Sequence, residues 1–130
     1  KLIRAARPHT RGRIFIVFGC GGDRDPTKRR PMGEIAVKLA DRVIVTDDNP
    51  RSEDPATIRA AVMRGAIGAM EIGDRAQAIR AALEAMTGDD TLLIAGKGHE
   101  TGQKIGEVIH PFDDREEARK AVAGMGGAND

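Results

Sequence analysis

A chain of 130 residues, 40% apolar and 32% charged, has the length of one ordinary domain and too much apolar content for wholesale disorder. With no Trp, no Tyr and three Phe the core must be aliphatic, and 16 glycines and 6 prolines without a period exclude collagen and repeat architectures. The net charge of +1 is uneven: residues 1–51 hold 12 Lys/Arg against 6 Asp/Glu and the remainder 9 against 14. A basic front half without aromatic stacking platforms points to a small anionic ligand rather than to nucleic acid.

The first clear element is Ile14-Phe15-Ile16-Val17-Phe18. It is too short for a helix and continuously apolar, as a strand buried on both faces of a parallel sheet must be. It runs into Gly19-Cys20-Gly21-Gly22-Asp23-Arg24 and a polar loop, after which Pro31 suits a first helical position. Ile35, Ala36, Leu39 and Ala40 then give a helical stripe ending near Asp41, and Val43-Ile44-Val45-Thr46 reads as a second buried strand. Ser52-Glu53-Asp54-Pro55 is an N-cap signature for a helix carrying Ile58, Ala61 and Val62. Residues 69–72 make a short edge strand, and Asp74 caps a helix that Gly88 stops. Thr91-Leu92-Leu93-Ile94-Ala95 is the third strong strand, Lys104 to Ile109 a last one, and Asp113 caps a charged helix reaching Val122 before a tail from Gly124. Strands alternating with helices predict a single-domain, Rossmann-like α/β fold: an open, mostly parallel sheet flanked by helices. The domain is placed at residues 7–123, with 1–6 and 124–130 as flanking segments.

In such sheets ligands bind outside the carboxyl ends of the strands. Three unusual loops each follow a strong strand and are expected to meet there: Gly19 to Arg30, Asp47 to Arg51, and Gly96 to Glu100. The glycine loop fits a dinucleotide fingerprint at Gly19 and Gly21 but carries Arg24 where the third glycine belongs, and no Gly-x-x-x-x-Gly-Lys-Ser/Thr phosphate loop exists in the chain. In Asp48-Asn49-Pro50-Arg51 the proline stiffens the turn and biases Asn49 away from the helical region, presenting an arginine fork that matches a carboxylate. An Asx turn with a solvated arginine accounts for the same residues. Glu100 offers an acceptor for an ammonium beside a nest of backbone groups at Gly96 and Gly98. Lys97 and His99 are read as shaping that loop, Cys20 as a small buried core residue, and no metal site is expected. One cysteine, no apolar run near the roughly 20 residues of a membrane span and no signal-peptide pattern suggest a cytoplasmic protein with no membrane partner.

Residues 18–24, Thr46-Asp47-Asp48-Asn49-Pro50-Arg51 and Ala95-Gly96-Lys97-Gly98-His99-Glu100 together resemble the carboxy-terminal domain of the Mur ligases, in their UDP-N-acetylmuramoyl-tripeptide synthetase branch. The resemblance runs from about Arg7 to Val122. The Asp-Asn-Pro-Arg form is the one associated with ligases that add meso-2,6-diaminopimelate; lysine-adding relatives differ there. The resemblance implies an ATP-dependent ligase that joins this amino acid to UDP-MurNAc-L-Ala-D-Glu through an acyl phosphate. ATP and Mg2+ would be held mainly by a central domain outside this chain, and a further N-terminal domain would bind the uridine nucleotide. Carried over position by position, Arg24, Asp48, Asn49, Arg51, Gly96 and Glu100 would contact meso-diaminopimelate and Asp23 the ATP ribose. No catalytic residue falls in this domain, which by itself would be inactive, and a monomer is implied. An autonomous nucleotide- or amino-acid-binding module is the competing reading, and a nucleic-acid binder resting on Lys28-Arg29-Arg30 a more distant one.

Overall fold

The computed structural model describes residues 2–95, 102–105 and 108–111. A short helix α1 (Leu2–Ala6) and a 3-10 turn lead to strand β1 (Ile14–Phe18). Helix α2 (Arg29–Leu39), strand β2 (Arg42–Val45), helix α3 (Pro55–Met63), strand β3 (Met70–Glu71), helix α4 (Arg75–Ala85) and strand β4 (Thr91–Ile94) follow, and strands β5 (Gly102–Ile105) and β6 (Val108–Pro111) pair with each other. The main sheet has the order β3-β2-β1-β4, and every pairing in it is parallel. The chain steps outward from β1 to β2 to β3, then returns to the other side of β1. The strand order therefore reverses between β1 and β4, the switch point at which an open α/β sheet leaves a crevice. The Rossmann-like class expected from the sequence is what the chain adopts.

All five residues of β1 are buried, as its uninterrupted apolar sequence requires of a central strand. Side chains alternate between the faces of a strand. Ile14, Ile16 and Phe18 join Ala36 of α2, Ile58 and Val62 of α3, and Ile3 of α1 in one core cluster. Phe15 and Val17 join Ile44 and the α4 residues Ala78, Ile79 and Ala82 in another. Each fully buried Ile or Val stabilises the fold by about 1.5–3 kcal/mol relative to an exposed one. Helices α2 and α3 lie close on the first face, because Gly33 has no side chain: a Cβ there would overlap the Val62 carbonyl.

Two of the three large helices have aspartate caps. Asp54 accepts from the Ala56 amide at 3.1 Å and Asp74 from the Gln77 amide at 3.0 Å. At the opposite end of the sheet from the site loops, Asp90 staples β4 to β1. It accepts from the Arg13 amide at 2.7 Å, the Arg13 guanidinium at 3.0 Å and the Thr87 amide at 2.9 Å, and these bonds hold its carboxyl down to about 2.

Four details differ from the sequence expectations. Helix α2 starts at Arg29 rather than Pro31, which first-turn geometry permits because amides there have no helical partner. Helix α4 ends at Ala85 with Met86 as its C-cap, before Gly88 is reached. The single strand expected over Lys104 to Ile109 is instead an antiparallel pair, Gly102–Ile105 with Val108–Pro111. Helix α1 has no counterpart in the sequence reading. The helix expected from Asp113 and the tail from Gly124 lie outside the described residues.

Candidate functional site

The loops that follow β1 and β2 interlock at the carboxyl edge of the sheet. The Gly22 amide donates to the Asn49 carbonyl at 2.8 Å, and Arg51 Nη1 donates to the Gly22 carbonyl at 2.8 Å. The Asp23 carboxylate accepts from Ser52 Oγ at 2.5 Å and from the Ser52 amide at 3.1 Å. The Asp23 amide donates to Glu53 Oε1 at 2.7 Å. Gly22 is required here by space: a Cβ would run into the Pro50 carbonyl. Among the described residues the three non-glycine positions with positive φ are Asp23 at 54°, Asn49 at 20° and Arg51 at 52°, all in these two loops. Such backbone is uncommon outside glycine and persists where surroundings over-determine it. The cross-loop bonds supply that determination.

Behind the loops stand Arg29, which the sequence reading placed only in a basic run, and Arg59 and Arg75, which it did not single out. Arg29, at the start of α2, is 4% exposed and grips Glu53 through two nitrogens, at 2.8 and 3.0 Å. Its pKa is raised, first by that hydrogen bond, and Glu53 is correspondingly held below the usual carboxylate range, first by Arg29 and then by the Asp23 amide. Arg59 pairs with Asp47 at 2.5 Å and with Glu71 at 3.0 Å. Burial pushes the Asp47 carboxyl up against the opposing pull of Arg59. Arg75, 2% exposed, donates to the carbonyls of Asp47 at 3.0 Å and Ala95 at 2.8 Å. The sequence held a signal for Arg75, which directly follows the cap Asp74 and so opens a helix, the end whose dipole disfavours a cation. Arg29 also opens a helix, but only because α2 starts two residues before the expected position.

A cleft of about 410 Å³ opens in front of the interlocked loops, lined by Gly19, Gly21, Arg24, Lys28, Arg29 and Asp48, among others. Arg24 is exposed and Asp48, Asn49 and Arg51 are half-buried. Among the described residues the hydrogen bonds of Arg51 all run through Nη1, so one edge of its fork is tied to loop carbonyls and the rest stays available. The structure thus brings together Asp23, Arg24, Asp48, Asn49 and Arg51 from two loops; Gly96, Lys97, His99 and Glu100 lie outside the described residues. Cys20 is 8% exposed and belongs to the core, and burial pushes its thiol up. Among the described residues no group of three His, Cys, Asp or Glu side chains is placed to hold a metal ion. No described helix is long and apolar enough to cross a membrane.

An open parallel sheet with a charged cleft at the carboxyl ends of β1 and β2 defines the class. Residues 1–98 match the family model described as Mur ligase, glutamate ligase domain, and the chain belongs to that family. It is 59% identical over 127 residues to the UDP-N-acetylmuramoyl-L-alanyl-D-glutamate--2,6-diaminopimelate ligase of Agrobacterium fabrum, covering 98% of this chain and 26% of that protein. It is 60% identical over 124 residues to the protein of the same name from Rhizobium meliloti, covering 95% of this chain and 26% of the relative. A solved structure titled as a UDP-N-acetylmuramoyl-L-alanyl-D-glutamate--2,6-diaminopimelate ligase superposes with a TM-score of 0.90 at 42% identity, over 96% of this chain and 26% of that one. The chain spans about a quarter of the length of the curated relatives it matches.

Proposed function

We propose that this chain is the amino-acid-binding domain of a cytoplasmic, monomeric ligase that adds meso-2,6-diaminopimelate to UDP-MurNAc-L-Ala-D-Glu. The observation that supports this reading is the interlock of the β1 and β2 loops, which holds Asn49 and Arg51 against Gly22, next to the charged cleft that Arg24 and Asp48 line; the names of its relatives supply the substrate. ATP activates the acceptor carboxylate as an acyl phosphate, and ATP and Mg2+ are held chiefly by the central domain that the relatives' greater length provides for. Asp23 is assigned to the nucleotide ribose. In the present arrangement its carboxylate is engaged by Ser52.

The role of this domain is to bind and aim the incoming amine. Diaminopimelate has two amino-acid ends. Arg24 orients the reacting end so that its amine, once deprotonated, attacks the activated carbonyl carbon and phosphate departs. Arg51 pairs with the distal carboxylate, which lysine lacks, while Asp48 and Glu100 receive the distal ammonium; Asn49 and the Gly96 backbone complete the polar lining. Lysine would leave the Arg51 fork desolvated and unpaired, and sites built around a polar group reject analogues lacking it by roughly 10⁴-fold. The test is the full-length protein with ATP, the dipeptide nucleotide and either amino acid. Phosphate release with diaminopimelate and not with lysine is the expected outcome. Diaminopimelate binding without phosphate release would favour a binding module, and no response to diaminopimelate would overturn the assignment.

A further inference from the structure

Arg75 is buried to 2% exposure at the first position of α4, immediately after its cap Asp74. A guanidinium is costly to bury unless hydrogen-bonded, and a helix N-terminus disfavours a cation. Its fork spans two carbonyls: Nη1 donates to Asp47 at 3.0 Å and Nη2 to Ala95 at 2.8 Å. Asp47 lies two residues past the end of β2, and Ala95 directly follows β4. These strands do not pair with each other, since β1 lies between them. Arg75 therefore bridges the carboxyl ends of the two strands across the switch point, where no ladder hydrogen bond can. Asp47 is fixed from other sides too, by Arg59 on its carboxylate and by its own amide donating to the Gly73 carbonyl at 3.3 Å. Asp47 leads directly into Asp48-Asn49-Pro50-Arg51, and Ala95 into Gly96.

We infer that Arg75 is a positioning residue: it sets the separation between the Asp47–Arg51 loop and the exit of β4, and through it the fit of diaminopimelate between them, an inference that rests on the ligase reading above. A planar fork holds two acceptors at a fixed spacing, whereas the compact ammonium of lysine keeps the charge without that geometry. The test is made in the full-length protein with Arg75→Lys and Arg75→Gln, reading KM for diaminopimelate and for ATP, the thermal midpoint, and amide exchange at residues 47–51. In a variant that folds, the diaminopimelate KM rises about tenfold or more, the ATP KM stays within about twofold, and exchange at 47–51 quickens while β1 keeps its protection. Unchanged or equally raised KM values overturn the inference. So does unfolding of both variants, which would make Arg75 a support of the fold alone. Wild-type protein that releases no phosphate with diaminopimelate sinks the ligase reading instead; the exchange measurement needs no substrate, and unaltered exchange at 47–51 in a folded variant overturns the bridging role by itself.

Discussion

The Gly22 amide donates to the Asn49 carbonyl at 2.8 Å, joining the loop after β1 to the loop after β2 through their backbones. The contact is close enough that a Cβ on Gly22 would overlap the Pro50 carbonyl. Gly22→Ala must therefore separate the two loops. Overpacking of this kind costs about 1–3 kcal/mol. The expected result is a lower urea midpoint with an unchanged slope, together with weaker diaminopimelate binding. An unaltered midpoint would show that the loops do not depend on each other.

Arg51 ties one edge of its fork to the Gly22 carbonyl, and in the proposed complex the remainder pairs with the distal carboxylate of diaminopimelate. A hydrogen bond to a charged group contributes about 1.5–3 kcal/mol, so Arg51→Ala should raise the diaminopimelate KM about 10- to 100-fold. The ATP KM should move little. Arg51→Lys should recover part of the loss, since it restores charge without two-point pairing. Steady-state kinetics with each substrate varied in turn decide the matter, and parallel rises in both KM values would remove Arg51 from the amino-acid site.

The sequence announced these elements unequally, for physical reasons. The run from Ile14 to Phe18 could be placed because a strand buried on both faces has to be apolar throughout. Asp54 and Asp74 were legible as caps because capping is a contact within one turn. The loops of Asp23–Arg24 and Asp48–Arg51 could be expected at one edge because each follows a parallel strand. Their interlock could not be read, since it depends on residues about 27 to 30 apart in sequence, as does the pairing of Asp23 with Ser52 and Glu53. The partners of buried Arg29 and Arg75 were hidden for the same reason, since they lie 20 or more residues away: Glu53 for Arg29, and the carbonyls of Asp47 and Ala95 for Arg75. Positive φ at Asp23 and Arg51 was equally hidden: neither is glycine, and the conformation is imposed by the neighbouring loop.

Acid should weaken the fold at its other end. The carboxyl of Asp90 is held down to about 2, first by the Arg13 amide and then by the Thr87 amide, from an ordinary 3.8. A lowered folded-state pKa means that the native state binds the proton less readily than the unfolded chain. The stabilisation is therefore complete above the ordinary value and is lost as pH falls from about 4 towards 2. Asp90→Asn, which cannot carry the charge, should show a lower Tm than wild type at neutral pH, with a gap that closes as pH falls through that window. A gap independent of pH would assign the role of Asp90 to shape rather than charge.

Asp74 occupies the cap immediately before Arg75, its carboxylate accepting from the Gln77 amide at 3.0 Å. Loss of an aspartate cap costs about 1 kcal/mol, while asparagine caps as well as aspartate does. Asp74→Ala should accordingly lower stability by about 1 kcal/mol and Asp74→Asn by much less, measured by chemical denaturation. The cap also fixes the first turn of α4, from which Arg75 reaches Asp47 and Ala95. Asp74→Ala should therefore quicken amide exchange at residues 47–51 as well as in α4, whereas a fault confined to the helix would leave the loop exchange at its wild-type rate.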